Sequence, residues 1–136
     1  MPLGSFLGAK VTPLELVDAR LYHLDTALTV LEDGTALVCK EAFTRESLGR
    51  LRRASAITRI IDVPLAEATG FAVNAVQVGE HVVLGGSGPI TERALRERGF
   101  TVHVPALDQF RLAGGSAACL VSRIHSSSEV AAASAA

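Results

Sequence analysis

The sequence predicts a mixed α/β fold in which one strand–strand–helix–strand unit occurs twice and begins a third time. Apolar, β-branched runs flank a tight turn at Asp33-Gly34, and similar runs flank Gly79 further along the chain. Both patterns are typical of β-hairpins. Each hairpin is followed by a segment of helical periodicity and then by a short apolar run. Because this order recurs after roughly 40–48 residues, the chain is expected to be built from repeats.

The first unit begins with "LYHLDTALTVLEDGTALVCKEAF", the predicted hairpin. The next segment, "TRESLGRLRRAS", places Leu48 and Leu51 on one helical face and offers Thr44 as a candidate N-cap, which together predict a helix. The run "ITRIIDVPL" then predicts a short buried strand that completes the unit.

The second unit repeats this order in "FAVNAVQVGEHVVLGGS", "PITERALRERG" and "FTVHVPAL". Its helix is predicted to begin near Pro89 and to end at Gly99. In both units the last strand is predicted to run into a Val-Pro pair, at residues 63–64 and 104–105. The run "SAACLVSRI" predicts the first strand of a third, incomplete unit.

Composition and charge limit the organisation and the partners of the chain. The 136 residues fit one domain, which we place at residues 11–125, with a flexible lead-in at 1–10 and a disordered tail at 126–136. A formal net charge of -1 and an aromatic content of 4% argue against nucleic acid as a partner. No apolar run is long enough for a membrane span, and the first residues lack the pattern of a signal peptide. We therefore expect a cytoplasmic protein.

The two cysteines stand in different surroundings. Cys119 follows two glycines and three small residues in "AGGSAACLVSRI". A buried thiol needs no such approach, whereas a thiol that must meet a substrate often has one. Cys39 lies in "ALVCKEA", an apolar strand without glycines, and is expected to be buried. From the residues alone, Cys119 is open to both interpretations.

Three segments together resemble a known superfamily. "YHLDTALTVL", "EATGFAVNAVQVGEHVVL" and "GGSAACLVSRI" occur in the order found in the C-terminal half of the guanidino-group modifying enzymes. This superfamily includes dimethylarginine dimethylaminohydrolase, arginine deiminase and the amidinotransferases. The resemblance implies the pentein fold, an α/β propeller of five ββαβ blades around a central site. This chain would hold about two and a half of those units.

The resemblance implies hydrolysis of a guanidino compound, dimethylarginine or arginine, by a thiol and without a metal or other cofactor. Cys119 would form a covalent thiouronium intermediate, His23 would act as general acid and base, and Asp25 would face the guanidinium. In a strand, the H-x-D spacing directs His23 and Asp25 to one face. Taken alone, His23 also fits a histidine at a strand edge, and Asp25 fits a structural carboxylate.

The resemblance also implies acidic residues from earlier blades, to which no residue of this sequence is assigned. We therefore expect the chain to form a homo-oligomer or to pair with a missing N-terminal half, because two units and a fragment expose unpaired strand edges. The alternative is a non-catalytic pentein module for protein binding or assembly, since a fold alone does not specify catalysis. The joint presence of His23 and Cys119 favours the enzyme.

The remaining polar candidates favour structural roles. Asn74, in "AVNAV", is interpreted as the counterpart of Thr26 in the first unit, in a turn or at a strand edge, from where it could still line the site. His81, His103 and His125 have no metal-ligand spacing to one another. Surface or strand roles are therefore expected for these three histidines.

Overall fold

The computed structural model describes residues 3–122 and 124, which form two three-stranded sheets and five short helices. The strands are β1 (Leu28–Val30), β2 (Thr35–Val38), β3 (Arg59–Asp62), β4 (Ala75–Val78), β5 (His81–Leu84) and β6 (Thr101–His103). The helices are α1 (Leu3–Leu7), α2 (Arg45–Arg52), α3 (Leu65–Ala68), α4 (Pro89–Arg96) and α5 (Asp108–Leu112). Single 3-10 turns lie at Leu24–Thr26, Lys40–Ala42 and Ala117–Leu120. Within these described ranges, no helix has the length and apolar character to cross a membrane.

The two sheets have the same topology. In the first, β1 is antiparallel to β2 and β2 is parallel to β3; in the second, β4, β5 and β6 repeat this arrangement. Parallel neighbours need a crossover connection, and α2 and α4 supply it in the two units. The predicted mixed α/β fold is therefore confirmed, whereas the propeller arrangement of the units stays a prediction. The predicted tail at 126–136 lies outside the described residues, and α1 falls within the predicted lead-in.

Local sequence signals act where they were expected in the first unit. The carboxylate of Asp33 accepts hydrogen bonds from the backbone N–H and the hydroxyl of Thr35, at 2.8 and 2.9 Å. Gly34 follows with a φ of +80°, which a residue without Cβ adopts at little cost. At the start of α2, the Thr44 hydroxyl accepts from the Ser47 N–H at 3.2 Å, which confirms the predicted N-cap.

The helix of the second unit takes its cap from elsewhere in the chain. Its N-cap residue, Gly88, has no side chain, and the carboxylate of Glu67 in α3 takes that role instead. Glu67 accepts from the backbone N–H groups of Ile90 and Thr91 at 2.9 and 3.0 Å and from the Thr91 hydroxyl at 2.7 Å. A Cβ at Gly88 would lie 2.6 Å from the Glu67 carboxylate and 2.7 Å from Cβ of Ala72, so a larger residue there would displace the cap.

One cluster of buried apolar side chains joins the two units. Both crossover helices send a leucine into it, Leu51 from α2 and Leu95 from α4, with 2% and 0% of their surface exposed. Burial of each leucine stabilises the fold by roughly 1.5–3 kcal/mol. The same cluster contains side chains of β2 and β5, the central strands of the two sheets.

Two predicted strands differ from the structure. The predicted buried strand β3 is the edge strand of its sheet, and only Ile61 within it is buried. The predicted strand around Cys119 is instead the 3-10 turn Ala117–Leu120. The N–H groups of Ala118 and Cys119 bond to the Asn74 side chain and to the Ser116 carbonyl. They therefore take no part in a strand ladder.

Candidate active site

Three residues from distant parts of the chain meet at one point. The Sγ atom of Cys119 lies 3.3 Å from Oδ2 of Asp25 and 3.4 Å from Nδ2 of Asn74. The same Nδ2 lies 3.0 Å from Oδ2 of Asp25. Cys119 is exposed and Asp25 is half-buried. A small molecule can therefore reach a thiol that stands beside a carboxylate.

Asn74 is the residue that holds the other two together. It is completely buried, and its Nδ2 donates to the carboxylate of Asp25 and to Sγ of Cys119. Its Oδ1 accepts from the backbone N–H of Ala118 at 2.9 Å. Because a buried amide without partners is costly, this side chain fixes the position of the segment that carries the thiol. The interpretation of Asn74 as a turn or strand-edge residue underestimated this role.

The backbone of Asn74 identifies its true counterpart in the first unit. Its carbonyl accepts from the Gly85 N–H at 2.8 Å, and in the first unit the Ala27 carbonyl accepts from the Cys39 N–H at 3.0 Å. Ala27, rather than the predicted Thr26, is therefore the equivalent residue. The turn before Asn74 contains Phe71 with a φ of +71°, a conformation that is rare for a bulky side chain and is found most often at functional sites.

The glycine-rich approach to Cys119 is explained by close contacts. Gly114 has a φ of +87°, and its carbonyl accepts from the Tyr22 hydroxyl at 2.9 Å. A Cβ at Gly114 would lie 2.7 Å from that hydroxyl, and one at Gly115 would lie 3.3 Å from Cβ of Cys119. Larger residues at these positions would therefore push the segment away from Tyr22 and crowd the thiol.

A second anchor fixes the start of the same segment. The buried Ser116 hydroxyl donates to the Gly85 carbonyl, and a guanidinium nitrogen of Arg111 lies 3.2 Å from the same oxygen. A Cβ at Gly85 would lie 2.8 Å from both the Asn74 carbonyl oxygen and Cβ of Ser116. The absence of a side chain at Gly85 is therefore what allows Ser116 to pack against the second unit.

The prediction that His23 and Asp25 share one face of a strand is wrong. Residues 24–26 form a 3-10 turn, because the N–H and the hydroxyl of Thr26 both bond to the His23 carbonyl, at 3.1 and 2.6 Å. The His23 ring is exposed and packs edge-on against Tyr22, with ring centroids 4.6 Å apart. Within the described residues its imidazole makes no hydrogen bond. The structure therefore joins Asp25 to Cys119 and leaves His23 on the adjoining loop.

The other cysteine has a different environment. Cys39 is fully buried at the end of β2, as expected, and burial raises the pKa of its thiol. A buried, protonated thiol is a poor nucleophile. Of the two cysteines, only Cys119 is thus exposed and hydrogen-bonded to side chains that could serve chemistry. Among the described residues, no cluster of three or more His, Cys, Asp or Glu side chains is placed to hold a metal ion.

A groove lies next to the side chains of Asp25, Asn74 and Cys119. Its volume is about 390 Å³, and residues of β1 and β4 line it together with Ala118 and Val121. Apolar side chains at and near the groove are strongly exposed: Val30 at 43%, Leu120 at 47% and Val121 at 55%. Solvent-exposed apolar surface of this kind is typical of a face that is covered in a larger assembly.

The repeated ββαβ units and the exposed thiol beside a carboxylate agree with the predicted resemblance to the guanidino-group modifying enzymes, and known proteins of this class are similar to the chain. The chain is a homologue of these enzymes. It is 37% identical over 123 residues to N(G),N(G)-dimethylarginine dimethylaminohydrolase of Mycobacterium tuberculosis, a match that covers 90% of this chain and 40% of that protein. It is 34% identical over 122 residues to the bifunctional arginine dihydrolase/ornithine cyclodeaminase AgrE of a Nostoc species, covering 90% of this chain and 17% of that protein.

Solved structures agree with these relatives. The N-terminal domain of ArgZ, a cyanobacterial arginine dihydrolase crystallised with its product, superposes with a TM-score of 0.80 and 33% identity. The match covers 90% of this chain and 45% of that domain. The chain therefore spans less than half the length of each of these relatives. No family model matches the sequence.

Proposed function

We propose that this chain carries the thiol side of an active site that hydrolyses a guanidino compound. The observation that supports this most is the contact of 3.3 Å between the exposed Cys119 thiol and the Asp25 carboxylate. A guanidinium is a delocalised cation, and a carboxylate beside a nucleophile both binds it and orients its carbon for attack. Among the relatives, a cysteine-to-serine variant of ArgZ has substrate bound, and another ArgZ variant is covalently bonded to a reaction intermediate.

In the proposed reaction the resting Cys119 thiol donates its hydrogen bond to Asp25. A bound guanidinium takes over the Asp25 carboxylate and, being a cation, favours the thiolate, whose proton passes to solvent. The thiolate attacks the guanidinium carbon, and protonated His23 gives its proton to the departing amine, which leaves a thiouronium cation. His23 then takes a proton from water, and the resulting hydroxide attacks the thiouronium carbon. The C–S bond breaks to release the thiolate, and the ureido product passes its extra proton to the released amine.

The exposure of His23 suits this exchange of protons. Its imidazole lies beside Tyr22 and is open to solvent, so it can exchange protons with water. The Tyr22 hydroxyl in turn bonds to Gly114, five residues before Cys119. Tyr22 therefore ties the loop that carries the histidine to the segment that carries the thiol.

The site as described is open on one side, and we propose that further protein completes it. The chain spans 40% of the mycobacterial relative, and the groove between β1 and β4 leaves apolar side chains exposed. An N-terminal half, or a second copy of the chain, would cover this groove and supply the residues that distinguish arginine from methylated arginines.

The test compares two alkylating reagents of the same shape, chloroacetamidine, which is a cation, and chloroacetamide, which is neutral. We expect chloroacetamidine to label Cys119 and to spare Cys39, as read by mass spectrometry. Asp25→Asn should reduce labelling by the cation but not by the neutral reagent. In the presence of an N-terminal half that completes the site, His23→Ala should slow turnover of a guanidino substrate by about 10²–10⁴-fold.

Both reagents must also be tried after addition of the N-terminal half of the mycobacterial relative. Faster labelling with that half supports completion of the site by further protein. Equal labelling of the two cysteines by both reagents, with and without that half, would instead support the alternative of a non-catalytic pentein module for binding or assembly.

A further inference from the structure

Two histidines that are 22 residues apart in the sequence lie side by side on the second sheet. β5 and β6 are parallel, with Val83 opposite His103 and His81 two residues earlier on β5. Alternate residues of a strand share a face, so His81 and His103 both project from the exposed face. Nδ1 of His81 and Nε2 of His103 are 3.1 Å apart and share a hydrogen bond, so a metal ion would replace the proton between them; the ring centroids are 5.2 Å apart.

This separation is the one that two ligands of a metal ion need. With metal–nitrogen bonds of about 2.0–2.1 Å, two tetrahedral ligands lie about 3.3 Å apart, and two adjacent octahedral ligands lie about 2.9 Å apart. The observed distance falls between these values. Both rings are exposed, so they are free to rotate about their side-chain bonds until both lone pairs face a common point. We propose that His81 and His103 form a binding site for a divalent transition-metal cation such as Zn²⁺.

Glu80 supports this assignment. Coordination through Nδ1 of His81 leaves the proton on Nε2, and the Glu80 carboxylate lies 4.0 Å from that nitrogen. This distance is too long for a hydrogen bond but places a negative charge beside the ring. The negative charge of Glu80 also offsets that of the cation.

The site differs from a closed structural metal centre. In the described part of the chain no third ligand joins the two histidines, so water completes the coordination and the metal exchanges readily. A bound ion would link the edge strand β6 to β5. It would stabilise the folded state by mass action, because the unfolded chain does not hold the two rings together. This inference does not depend on the proposed hydrolysis.

The test uses the full chain with Cys119→Ser, so that the active-site thiol cannot bind the metal. We expect added Zn²⁺ to shift the imidazole ¹⁵N signals of His81 and His103 together, to saturate at one equivalent and to raise the melting temperature. His81→Asn and His103→Gln should each abolish both effects. Glu80→Gln should weaken binding by only about 3-fold, through the loss of a nearby, solvent-screened negative charge.

The His23 signal serves as an internal control, since it should not move with these two. Because both replaced histidines are exposed, the variants should fold, and an unchanged melting temperature without metal verifies this. Zinc-induced shifts confined to other residues would overturn the proposal. A rise in melting temperature that survives both replacements would also overturn it.

Discussion

The two ββαβ units share a backbone but differ at the end of the hairpin nearest the candidate site. In the first unit the Cys39 N–H donates to the Ala27 carbonyl, and both side chains are completely buried. In the second unit the Gly85 N–H donates to the Asn74 carbonyl in the same way. The apolar pair Ala27 and Cys39 of the first unit therefore corresponds to Asn74 and Gly85 in the second unit, an amide side chain and a residue without a side chain.

This difference shows how a structural repeat becomes a site. The missing side chain at Gly85 makes room for Ser116, and the amide of Asn74 reaches Asp25 and Cys119. The candidate site therefore depends on one amide and one missing side chain in the second unit, while the equivalent positions of the first unit stay in a closed core.

The strongest way to break this comparison is to give Gly85 a side chain. Gly85→Ala places a Cβ 2.8 Å from Ser116 and from the Asn74 carbonyl, so the segment before Cys119 must move. We expect a loss of about 1–3 kcal/mol in the free energy of unfolding and nearly complete loss of selective Cys119 labelling by chloroacetamidine. Urea denaturation and labelling rates measure both.

The matched control for that change is Cys39→Ala, at the equivalent position of the first unit. It removes one buried sulfur atom and should cost about 1 kcal/mol. Labelling of Cys119 should not change. An equal effect of the two substitutions on labelling would show that the units do not differ in the way described.

Replacement of the amide should have the next largest effect. Asn74→Ala removes the bonds to Asp25, Cys119 and Ala118, and we expect a cost of about 1–3 kcal/mol. Displacement of the thiol should slow its labelling by about 10²-fold. The reciprocal change Ala27→Asn buries an amide without the same partners, so it should destabilise by about 1–3 kcal/mol and leave labelling intact. Loss of stability in Asn74→Ala without slower labelling would mean that Asn74 only packs.

Alanine substitutions at two glycines, Gly114 and Gly99, distinguish the effect of backbone strain from the effect of a steric contact. Gly114 and Gly99 both have a φ of +87°, but only at Gly114 would a Cβ meet another group, the Tyr22 hydroxyl at 2.7 Å. Either change to alanine should cost about 1–2 kcal/mol for the left-handed conformation. Only Gly114→Ala should also slow Cys119 labelling, by about 10-fold, through a contact that Gly99→Ala does not create. Equal labelling rates in the two variants would contradict this.

The smallest effect is expected at a carboxylate outside the site. Hydrogen bonds from Arg20 lower the pKa of Asp18 from 3.8 to about 2. A lowered folded-state pKa means that this carboxylate stabilises the fold above its unfolded-state pKa, and that the contribution is lost as the pH falls through the folded-state value. Asp18→Asn should therefore lower the urea midpoint slightly at pH 7, and this difference should shrink as the pH falls from about 4 towards about 2, with labelling unchanged. A difference that grows on acidification would contradict this sign.

Much of the fold follows from signals that act within a few residues. The turn at Asp33-Gly34, the cap at Thr44 and the start of a helix at Pro89 all depend on local chemistry, and each occurs where it was predicted. The cap by Glu67 could not be predicted in this way. It depends on the packing of α3 against α4, which the sequence around Gly88 does not express.

The site was accessible from the sequence only in part. The resemblance selected Cys119 and Asp25, which the structure places in contact, while their roles and that of His23 stay predictions. The prediction for the H-x-D segment assumed a strand, in which alternate residues share a face. Instead, the Thr26 hydroxyl donates to the His23 carbonyl, and the chain forms a turn. An asparagine before a strand fits a turn equally well, so no pattern in the sequence indicated that Asn74 is buried.

The histidine pair was missed for a related reason. Metal-ligand spacings are defined along the chain, whereas His81 and His103 are brought together by the register of two parallel strands. That register depends on the crossover through α4. Only the folded topology therefore shows that the two rings are neighbours.

The cap that Glu67 provides for α4 has a consequence for how the chain unfolds. Glu67 lies in the connection between the units, yet α4 of the second unit begins on its carboxylate. A cut after Thr69 would leave that helix without a cap and would divide the shared core. The repeats are therefore not independent folding modules, and denaturation should proceed as one cooperative transition. Probes placed in either unit should report the same midpoint.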